Sequence, residues 1–259
     1  ANAGDFNVEI DLDDLQAGEN VLRLELHDEG GPRESRDVVL SIQKSRSCPL
    51  PHCITWSEAE HINDVAQVTD GLWRLTDSGV RVVEPYYDRV IALGDLAWSD
   101  YEIRTKVTFH GIRRPDRSAG DGGANVIHAA LAVRWPGHDD DGRQPRVKWY
   151  PLGATAEFRV TPSWEDCSWR ILGGGRIVAN SETSRTIQRE TPCRMAHRVN
   201  TLPGGGAVYP VKLWGSDQAE PSDWDLELRK RPDGVQTGGA LLIAHYTDVT
   251  FGDVEILPV

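Results

Sequence analysis

Basic residues are concentrated in the middle of an otherwise acidic chain. The 259-residue sequence has a formal net charge of −12, yet residues 104–159 contain ten Lys and Arg against six Asp and Glu. In NVIHAALAVRW, strict alternation predicts His128 and Arg134 on one face of a strand and Trp135 on the other. Guanidinium groups match carboxylate and sulfate geometry, so this face suits an anionic ligand. The alternative is a solvated face whose cations pair with Asp139, Asp140 and Asp141.

The candidate binding residues share polar or flat aromatic side chains and belong to the strands and loops of this basic region. They are His110, His128, Arg134, Trp135, His138, Arg146, Lys148, Tyr150 and Arg159. The cations would contact anionic groups, the imidazoles and the phenol would form hydrogen bonds, and the indole would stack on a sugar ring. Small alanines beside them would leave room for sugar rings. This pattern predicts an acidic polysaccharide as the partner.

The same residue types would also serve an enzyme. A polysaccharide lyase acting on uronic acids needs a base for the C5 proton and a group that neutralises the carboxylate. His128 or Tyr150 would be the base and Arg134 the neutralising group. No strand motif typical of jelly-roll alginate lyases is present, so we favour binding without catalysis over a lyase.

Short apolar–polar alternating segments separated by DG, SG, GGG, PDG and TGG turns run from about residue 54 to residue 259. Roughly a dozen such segments with no helical periodicity between them predict an all-β antiparallel sandwich of jelly-roll type. Residues 1–44 carry net charge −7 and show three alternating segments, FNVEIDL, NVLRLELHD and RDVVLSIQ. We expect a separate β segment there, with residues 45–53 as the linker.

The motifs of residues 54–259 resemble the concanavalin A-like lectin/glucanase superfamily, in its laminin-G-like bacterial branch. The resemblance rests on DGLWRLTDSGVRVVEPYYDRVIALGDLAWSDYEI, LAVRWPGH, VKLWGSDQAEPSDW and GALLIAHYTDVTFGDVEI. Residues 1–44 resemble the closing strands of a bacterial immunoglobulin-like module. The resemblance implies a concave face lined by the middle strands and leaves the function open, because this fold hosts lectins, hydrolases, lyases and inert spacers.

The resemblance also bears on metals and hydrolysis. Members of the superfamily often hold one structural Ca²⁺ with an Asp of the last strand, which implies Asp253, with Asp248 nearby. The rival interpretation is an ordinary solvent-facing Asp. Asp223, Asp225 and Glu227 imitate the alternating acids of laminarinase-like members, but the first acid should be Glu and the intervening residues differ, so a hydrolase is disfavoured.

Composition restricts the remaining possibilities. The acidic chain has no lysine-rich tract and no apolar run long enough for a membrane span, so we expect neither nucleic-acid binding nor a membrane span. No phosphate-binding glycine loop occurs, and we expect no organic cofactor. Four cysteines allow bridges Cys48–Cys53 and Cys167–Cys193, or four reduced thiols. We expect an extracellular or cell-surface protein, with self-assembly through the N-terminal β segment as a third hypothesis.

Overall fold

The computed structural model describes residues 10, 14–42, 47–114, 126–137, 152–174 and 176–259. These residues form seventeen strands and two one-turn 3-10 helices, Trp56–Glu58 and Ile62–Asp64. The strands are β1 (Gly18–Asp28), β2 (Gly31–Ile42), β3 (His52–Ile54), β4 (Gln67–Asp70), β5 (Trp73–Thr76), β6 (Gly79–Val82), β7 (Arg89–Leu93), β8 (Tyr101–Ile112), β9 (Ile127–Trp135), β10 (Ala154–Val160), β11 (Ser168–Gly173), β12 (Arg176–Asn180), β13 (Cys193–Thr201), β14 (Ala207–Gly215), β15 (Leu226–Lys230), β16 (Gly239–His245) and β17 (Thr247–Pro258).

Two antiparallel sheets make up the main body of the fold. The seven-stranded sheet has the order β12-β11-β10-β9-β16-β7-β4, and the eight-stranded sheet has the order β15-β14-β13-β8-β17-β6-β5, with β3 added beside β17. Strands adjacent in each sheet are distant in sequence, such as β9 beside β16 and β8 beside β17. This is the predicted jelly-roll sandwich, and the all-β fold class is confirmed.

The period-two alternation explains why these segments become strands. Inward positions such as Leu131 of β9, Val107 of β8 and Phe251 of β17 are fully buried in one core cluster between the sheets. Alternate positions of the same strands, such as Ala130 and Lys106, point away from that core. A strand with one buried face must alternate in this way, because successive side chains point to opposite sides.

The N-terminal segment forms a two-stranded sheet of its own. β1 and β2 pair antiparallel over their whole lengths, from Gly18 opposite Ile42 to Asp28 opposite Gly31. The second and third predicted strands of this segment are therefore confirmed as a pair. The first predicted strand, FNVEIDL, lies outside the described residues except for Ile10. Its resemblance to an immunoglobulin-like module, and self-assembly through this segment, stay predictions.

The sandwich begins slightly earlier in the chain than we expected. β3 pairs with β17 through His52, Cys53 and Ile54, so His52 and Cys53, assigned to the linker, contribute to the eight-stranded sheet. Neither proposed disulfide is present, since all four cysteines carry free thiols. Cys167 and Cys193 are buried, and burial raises the pKa of both thiols.

Candidate functional site

A β-bulge reverses the predicted facing of Arg134 and Trp135. Along β16, Leu241 pairs with Ala132 and Gly239 pairs with Trp135, so two residues of β9 stand opposite one residue of β16. Arg134 adopts φ 54° at this bulge. The extra residue shifts the alternation by one position, as β-bulges do. Trp135 therefore joins the outer face, the side of the seven-stranded sheet that points away from the core, and Arg134 turns inward.

Arg134 is completely buried, and its Nε and Nη2 are held by interior contacts rather than presented to a ligand, while its Nη1 has no hydrogen-bond partner among the described residues. Its Nη2 donates to Asp100 Oδ1 at 3.0 Å and to Thr201 Oγ1 at 2.6 Å, and its Nε donates to the Ser99 carbonyl at 2.9 Å. Its backbone N–H donates to the Tyr101 hydroxyl at 2.8 Å. The prediction that Arg134 contacts or neutralises an anionic ligand is wrong, because the bulge commits the side chain to the interior.

A row of polar residues, here called the polar row, crosses one end of the outer face. His128 of β9 lies directly opposite Arg159 of β10 on one side and His245 of β16 on the other. Ser168 of β11 extends the row beyond Arg159, and Asp88 extends it beyond His245. The two imidazoles are each 4% exposed, whereas Ser168, Arg159 and Asp88 are partly exposed. The polar row is thus buried at its centre and reaches solvent at both ends.

Carboxylates orient both imidazoles of the polar row. His245 Nδ1 lies 2.7 Å from Asp88 Oδ1 and 3.3 Å from the backbone nitrogen of Asp88. Because the contact with the carboxylate is the shorter one, we place the proton on His245 Nδ1. Glu157 Oε1 lies 3.4 Å from His128 Nε2. In the neutral tautomers that carry the proton on the nitrogen nearer each carboxylate, the far nitrogens, His245 Nε2 and His128 Nδ1, are acceptors. The rings stack with centroids 4.9 Å apart.

Three nitrogens of the polar row have unmet hydrogen-bonding capacity. His128 Nδ1, His245 Nε2 and Arg159 Nε are buried, and none has a hydrogen-bond partner within the ranges that the structure describes. Buried polar atoms are nearly always paired in native proteins, and each exception needs an explanation. Because His128 is the strand partner of both other residues, the three unmet atoms belong to one locality.

Electrostatics keep His128 neutral. Burial, followed by the charges on His245, Arg170 and Arg159, lowers the pKa of His128 well below its ordinary value. Behind the polar row, Arg170 Nε donates to Glu157 Oε2. Burial raises the pKa of Glu157, and the hydrogen bond and charge of Arg170 oppose that effect. The site therefore presents a neutral imidazole acceptor beside the half-buried guanidinium of Arg159.

The remainder of the outer face is apolar. Its buried cluster consists of Val90, Ala92, Ala130, Ala132, Trp135, Leu152, Leu241 and Ile243. The two β9 alanines face outward, as predicted, but they are fully buried, and Trp135 is only 4% exposed. An accessible aromatic ring lies instead at the Asp88 end of the polar row. Tyr87 is 52% exposed, and its ring meets that of His245 edge-on at 5.0 Å.

The other predicted binding residues are not brought together by the described structure. His110 lies on the outer face of the eight-stranded sheet, where its ring nitrogens contact Glu190 Oε2 at 2.6 Å and Thr250 Oγ1 at 2.8 Å. It therefore cannot share a face with His128, because the two histidines belong to different sheets. Four further candidates, His138, Arg146, Lys148 and Tyr150, lie outside the described residues, and their roles stay predictions.

The two aspartates expected to hold calcium are engaged with protein donors. Both Asp248 oxygens accept hydrogen bonds from Arg81, each at 2.8 Å, and Asp253 Oδ1 accepts the Trp56 backbone N–H at 3.0 Å. Within the described ranges, no three His, Cys, Asp or Glu side chains converge as metal ligands. These residues do not form the expected metal centre, and a bound calcium stays a prediction.

Sequence reasoning missed most partners of the site. Five residues of the site are not among the candidates predicted from the sequence: His245, Asp88, Arg170, Tyr87 and Glu157. The alternation in β10 did carry a signal for Glu157 and Arg159, since both face outward. His245 lies in β16 and Asp88 directly precedes β7, both far from His128 in sequence, and only the order of the sheet brings them near it.

Comparison with known proteins supports the fold alone. No protein-family model and no curated protein sequence matches the chain. Among solved structures, the exoplasmic/lumenal domain of VIP36, in a form bound to Ca²⁺ and Man2, aligns with TM-score 0.51 and 14% identity over 80% of this chain and 86% of its own. Such a likeness establishes a lectin-like jelly-roll sandwich. No helix among the described residues is long and apolar enough to cross a membrane.

Two further solved structures align over most of their lengths. The carbohydrate-binding module CBM66 from Bacillus subtilis has TM-score 0.48 and 13% identity, covering 74% of this chain and 94% of its own. The alginate lyase Aly36B has TM-score 0.49 and 11% identity, covering 82% of this chain and 98% of its own.

Proposed function

We propose that this protein binds carbohydrate, and specifically an acidic polysaccharide, at the polar row of the seven-stranded sheet. The observation that carries the proposal is the coincidence of three buried nitrogens without partners on adjacent strands, His128 Nδ1, His245 Nε2 and Arg159 Nε. A ligand that completed these hydrogen bonds would remove the cost of leaving them unmade, which is about 1–3 kcal/mol for each buried group.

The chemistry of the three nitrogens defines what the ligand must present. A neutral His128 whose Nε2 faces Glu157 accepts at Nδ1, and a His245 whose Nδ1 donates to Asp88 accepts at Nε2. Both therefore need donors, which sugar hydroxyl groups supply. Arg159 needs an acceptor, and a carboxylate or sulfate gives the strongest hydrogen bond to a guanidinium. One ligand that offers hydroxyl donors beside an anionic acceptor is an acidic sugar.

The accessible parts of the site agree with an extended ligand. The polar row is partly exposed at Ser168 and Arg159 at one end and at Asp88 at the other. Tyr87, which is 52% exposed beside Asp88, offers a flat ring on which a pyranose could stack. A chain of sugars would thus enter from either end. Such a ligand accords with an extracellular or cell-surface location, which belongs to this proposal.

The experiment is calorimetric titration of the folded protein with oligosaccharides of galacturonate, glucuronate and sulfated galactose, and with neutral counterparts. We expect acidic oligosaccharides to bind and Arg159→Ala to weaken that binding by roughly tenfold or more, the loss of a charge-assisted hydrogen bond. The matched control is Arg229→Ala, whose side chain is 70% exposed on β15 of the other sheet. Equal affinities for wild type and Arg159→Ala would refute the proposed site.

A second candidate function, a polysaccharide lyase, is favoured by the carboxylate-oriented imidazoles. With a proton on Nδ1 held by Asp88, His245 Nε2 is a free base, and Arg159 lies two strands away beyond His128. In β-elimination the base takes the C5 proton of a uronic acid, a C4–C5 double bond forms, and the glycosidic oxygen at C4 leaves with a proton. Arg159 would replace Arg134 as the group that neutralises the carboxylate.

Turnover separates the two functions. If the site is a lyase, incubation with uronic-acid polysaccharides produces unsaturated ends that absorb in the ultraviolet, and His245→Ala abolishes this signal while binding persists. If the site only binds, no unsaturated product accumulates with any polysaccharide. The control His27→Ala removes an exposed imidazole of the N-terminal hairpin and should leave either result unchanged.

A further inference from the structure

The outer face of the eight-stranded sheet contains a groove that the proposed polysaccharide site does not use. The groove has a volume of about 680 Å³, which lies within the range of small-molecule binding sites. Its floor is formed by the neighbouring strands β13, β8 and β17 and includes Lys106, Thr108, Arg194, Asp253 and Glu255. It is separated from the polar row by the whole thickness of the sandwich, because the two faces belong to opposite sheets.

Two cations on the groove floor, Lys106 and Arg194, stand side by side without a direct ion pair to a described residue. Lys106 and Arg194 are directly opposite residues of β8 and β13, and both are exposed. Neither forms an ion pair with any residue that the structure describes. Like charges at directly opposite positions of neighbouring strands destabilise a sheet. An anionic group bound between them would relieve that repulsion.

The neighbouring cations of the same face are neutralised, which makes this pair exceptional. Arg104 and Lys212 contact the two oxygens of Glu220 at 2.9 and 2.7 Å. Arg198 contacts Glu102 at 2.6 Å. The chain therefore supplies carboxylates to the cations on either side. Of the three cations that line the groove among the described residues, Arg104 is paired with Glu220, and Lys106 and Arg194 lack such a contact.

The rest of the groove restricts the kind of anion. Asp77, Asp253 and Glu255 line it together with the hydroxyl groups of Ser57 and Ser78. These carboxylates would repel a densely charged polyanion, but each can accept hydrogen bonds from a neutral hydroxyl group. A ligand that fits carries one negative charge surrounded by hydroxyl groups.

A glycine keeps the floor open beside Lys106. A Cβ on Gly252 would lie 3.0 Å from the Lys106 Cβ, which is closer than ordinary packing allows. Any other residue at this position would crowd the lysine stem at the lining of the groove. The absence of a side chain at Gly252 leaves space for a ligand over Lys106.

We propose that this groove is a second ligand-binding site, specific for a sugar acid with one charge per ring, whose carboxylate bridges Lys106 and Arg194. The hydroxyl groups of the ring would donate to Asp253 and Glu255. The site is independent of the polar row, and the two together would let one molecule contact two chains of an acidic polysaccharide.

The test is calorimetric titration with trigalacturonate, compared with a densely sulfated heparin hexasaccharide. Wild type should bind two equivalents of trigalacturonate, and the double variant Lys106→Ala/Arg194→Ala should bind only one. The groove of the wild-type protein should bind trigalacturonate roughly tenfold more tightly than the heparin fragment. Asp253→Asn/Glu255→Gln should reverse that preference. Arg229→Ala on the same sheet is the control, and circular dichroism confirms that each exposed-site variant folds.

Two outcomes would overturn the groove proposal. One is an unchanged stoichiometry and affinity in the Lys106→Ala/Arg194→Ala protein. The other is tighter binding of the heparin fragment than of trigalacturonate at the site this variant removes. Arg159→Ala distinguishes the proposals, because it should remove only the equivalent at the polar row. If Lys106→Ala/Arg194→Ala loses one binding equivalent and Arg159→Ala loses none, the groove is supported as a binding site and the polar row is refuted as one.

Discussion

His128 and His245 stack face to face, with ring centroids 4.9 Å apart and planes only 6° from parallel. Each ring has a carboxylate near one nitrogen and an unmet nitrogen on the other side. A proton on His128 would therefore add a positive charge directly against the second imidazole, in a buried site beside two arginines. The neutral form of His128 is therefore strongly favoured at this position.

This relationship predicts a loss of stability on acidification. Burial lowers the pKa of His128 well below 6.5 and lowers that of His197, a core residue bonded to the Pro210 carbonyl, to about 4. Below about pH 6.5, both histidines are therefore protonated in the unfolded chain while they remain neutral in the folded chain. Stability should be full above that pH and fall as the pH decreases, by up to about 1.4 kcal/mol per pH unit for each histidine.

Denaturant unfolding at pH 7 and pH 5.5 measures this effect. His128→Gln keeps a donor for Glu157 but cannot be protonated, so its loss of stability between these pH values should be smaller than in wild type. Glu157 itself acts in the opposite direction in both proteins, because its raised pKa lets the folded chain bind a proton at a higher pH than the unfolded chain does. An equal pH dependence in both proteins would show that His128 does not titrate differently on folding.

Arg134 should matter for stability and not for ligand binding. Arg134→Ala empties a fully buried position and removes the hydrogen bonds to Ser99, Asp100 and Thr201, so we expect a loss of about 2–5 kcal/mol in the free energy of unfolding. The fraction that remains folded should bind acidic oligosaccharide with wild-type affinity. A selective loss of affinity with unchanged stability would contradict the interior role.

Gly238 should be indispensable to the bulge that turns Arg134 inward. A Cβ at Gly238 would approach the backbone of Arg134 and Trp135 to 2.5 Å. We expect Gly238→Ala to cost roughly 3 kcal/mol or more in thermal or denaturant unfolding. Gly234→Ala is the matched control, because Gly234 also has positive φ but nothing within 4 Å, and it should cost only roughly 1–2 kcal/mol. Similar costs for both would mean that the close approach is unimportant.

The cysteines should behave as four thiols of unequal reactivity. Cys53 is exposed, whereas Cys167 and Cys193 are buried and have raised pKa values. A thiol reagent should label Cys53 rapidly and the two buried cysteines only on unfolding, since the thiolate is the reactive form. Reductant should leave the melting temperature unchanged. A large decrease in melting temperature on reduction would instead indicate a disulfide.

The alternation of apolar and polar residues determined the fold class. For many strand residues it also determined which side of the sheet the side chain faces. His128 and Ala130 of β9, and Glu157 and Arg159 of β10, face outward as the period-two pattern predicts. That pattern is local, because successive side chains on a strand point to opposite sides whatever the strand pairs with. The sequence alone therefore predicted a sandwich and two of the five residues of the polar row, His128 and Arg159.

Only the tertiary structure decided where the alternation breaks and which distant residues complete the site. The bulge at Arg134 depends on pairing with β16, and its guanidinium is held by Asp100 and Thr201, which are far away in sequence. His245 reaches His128 because β16 lies beside β9 in the sheet. Strand order and bulges depend on long-range packing energies, which no short-range pattern encodes, and that is why Arg134 was misplaced and His245 was missed.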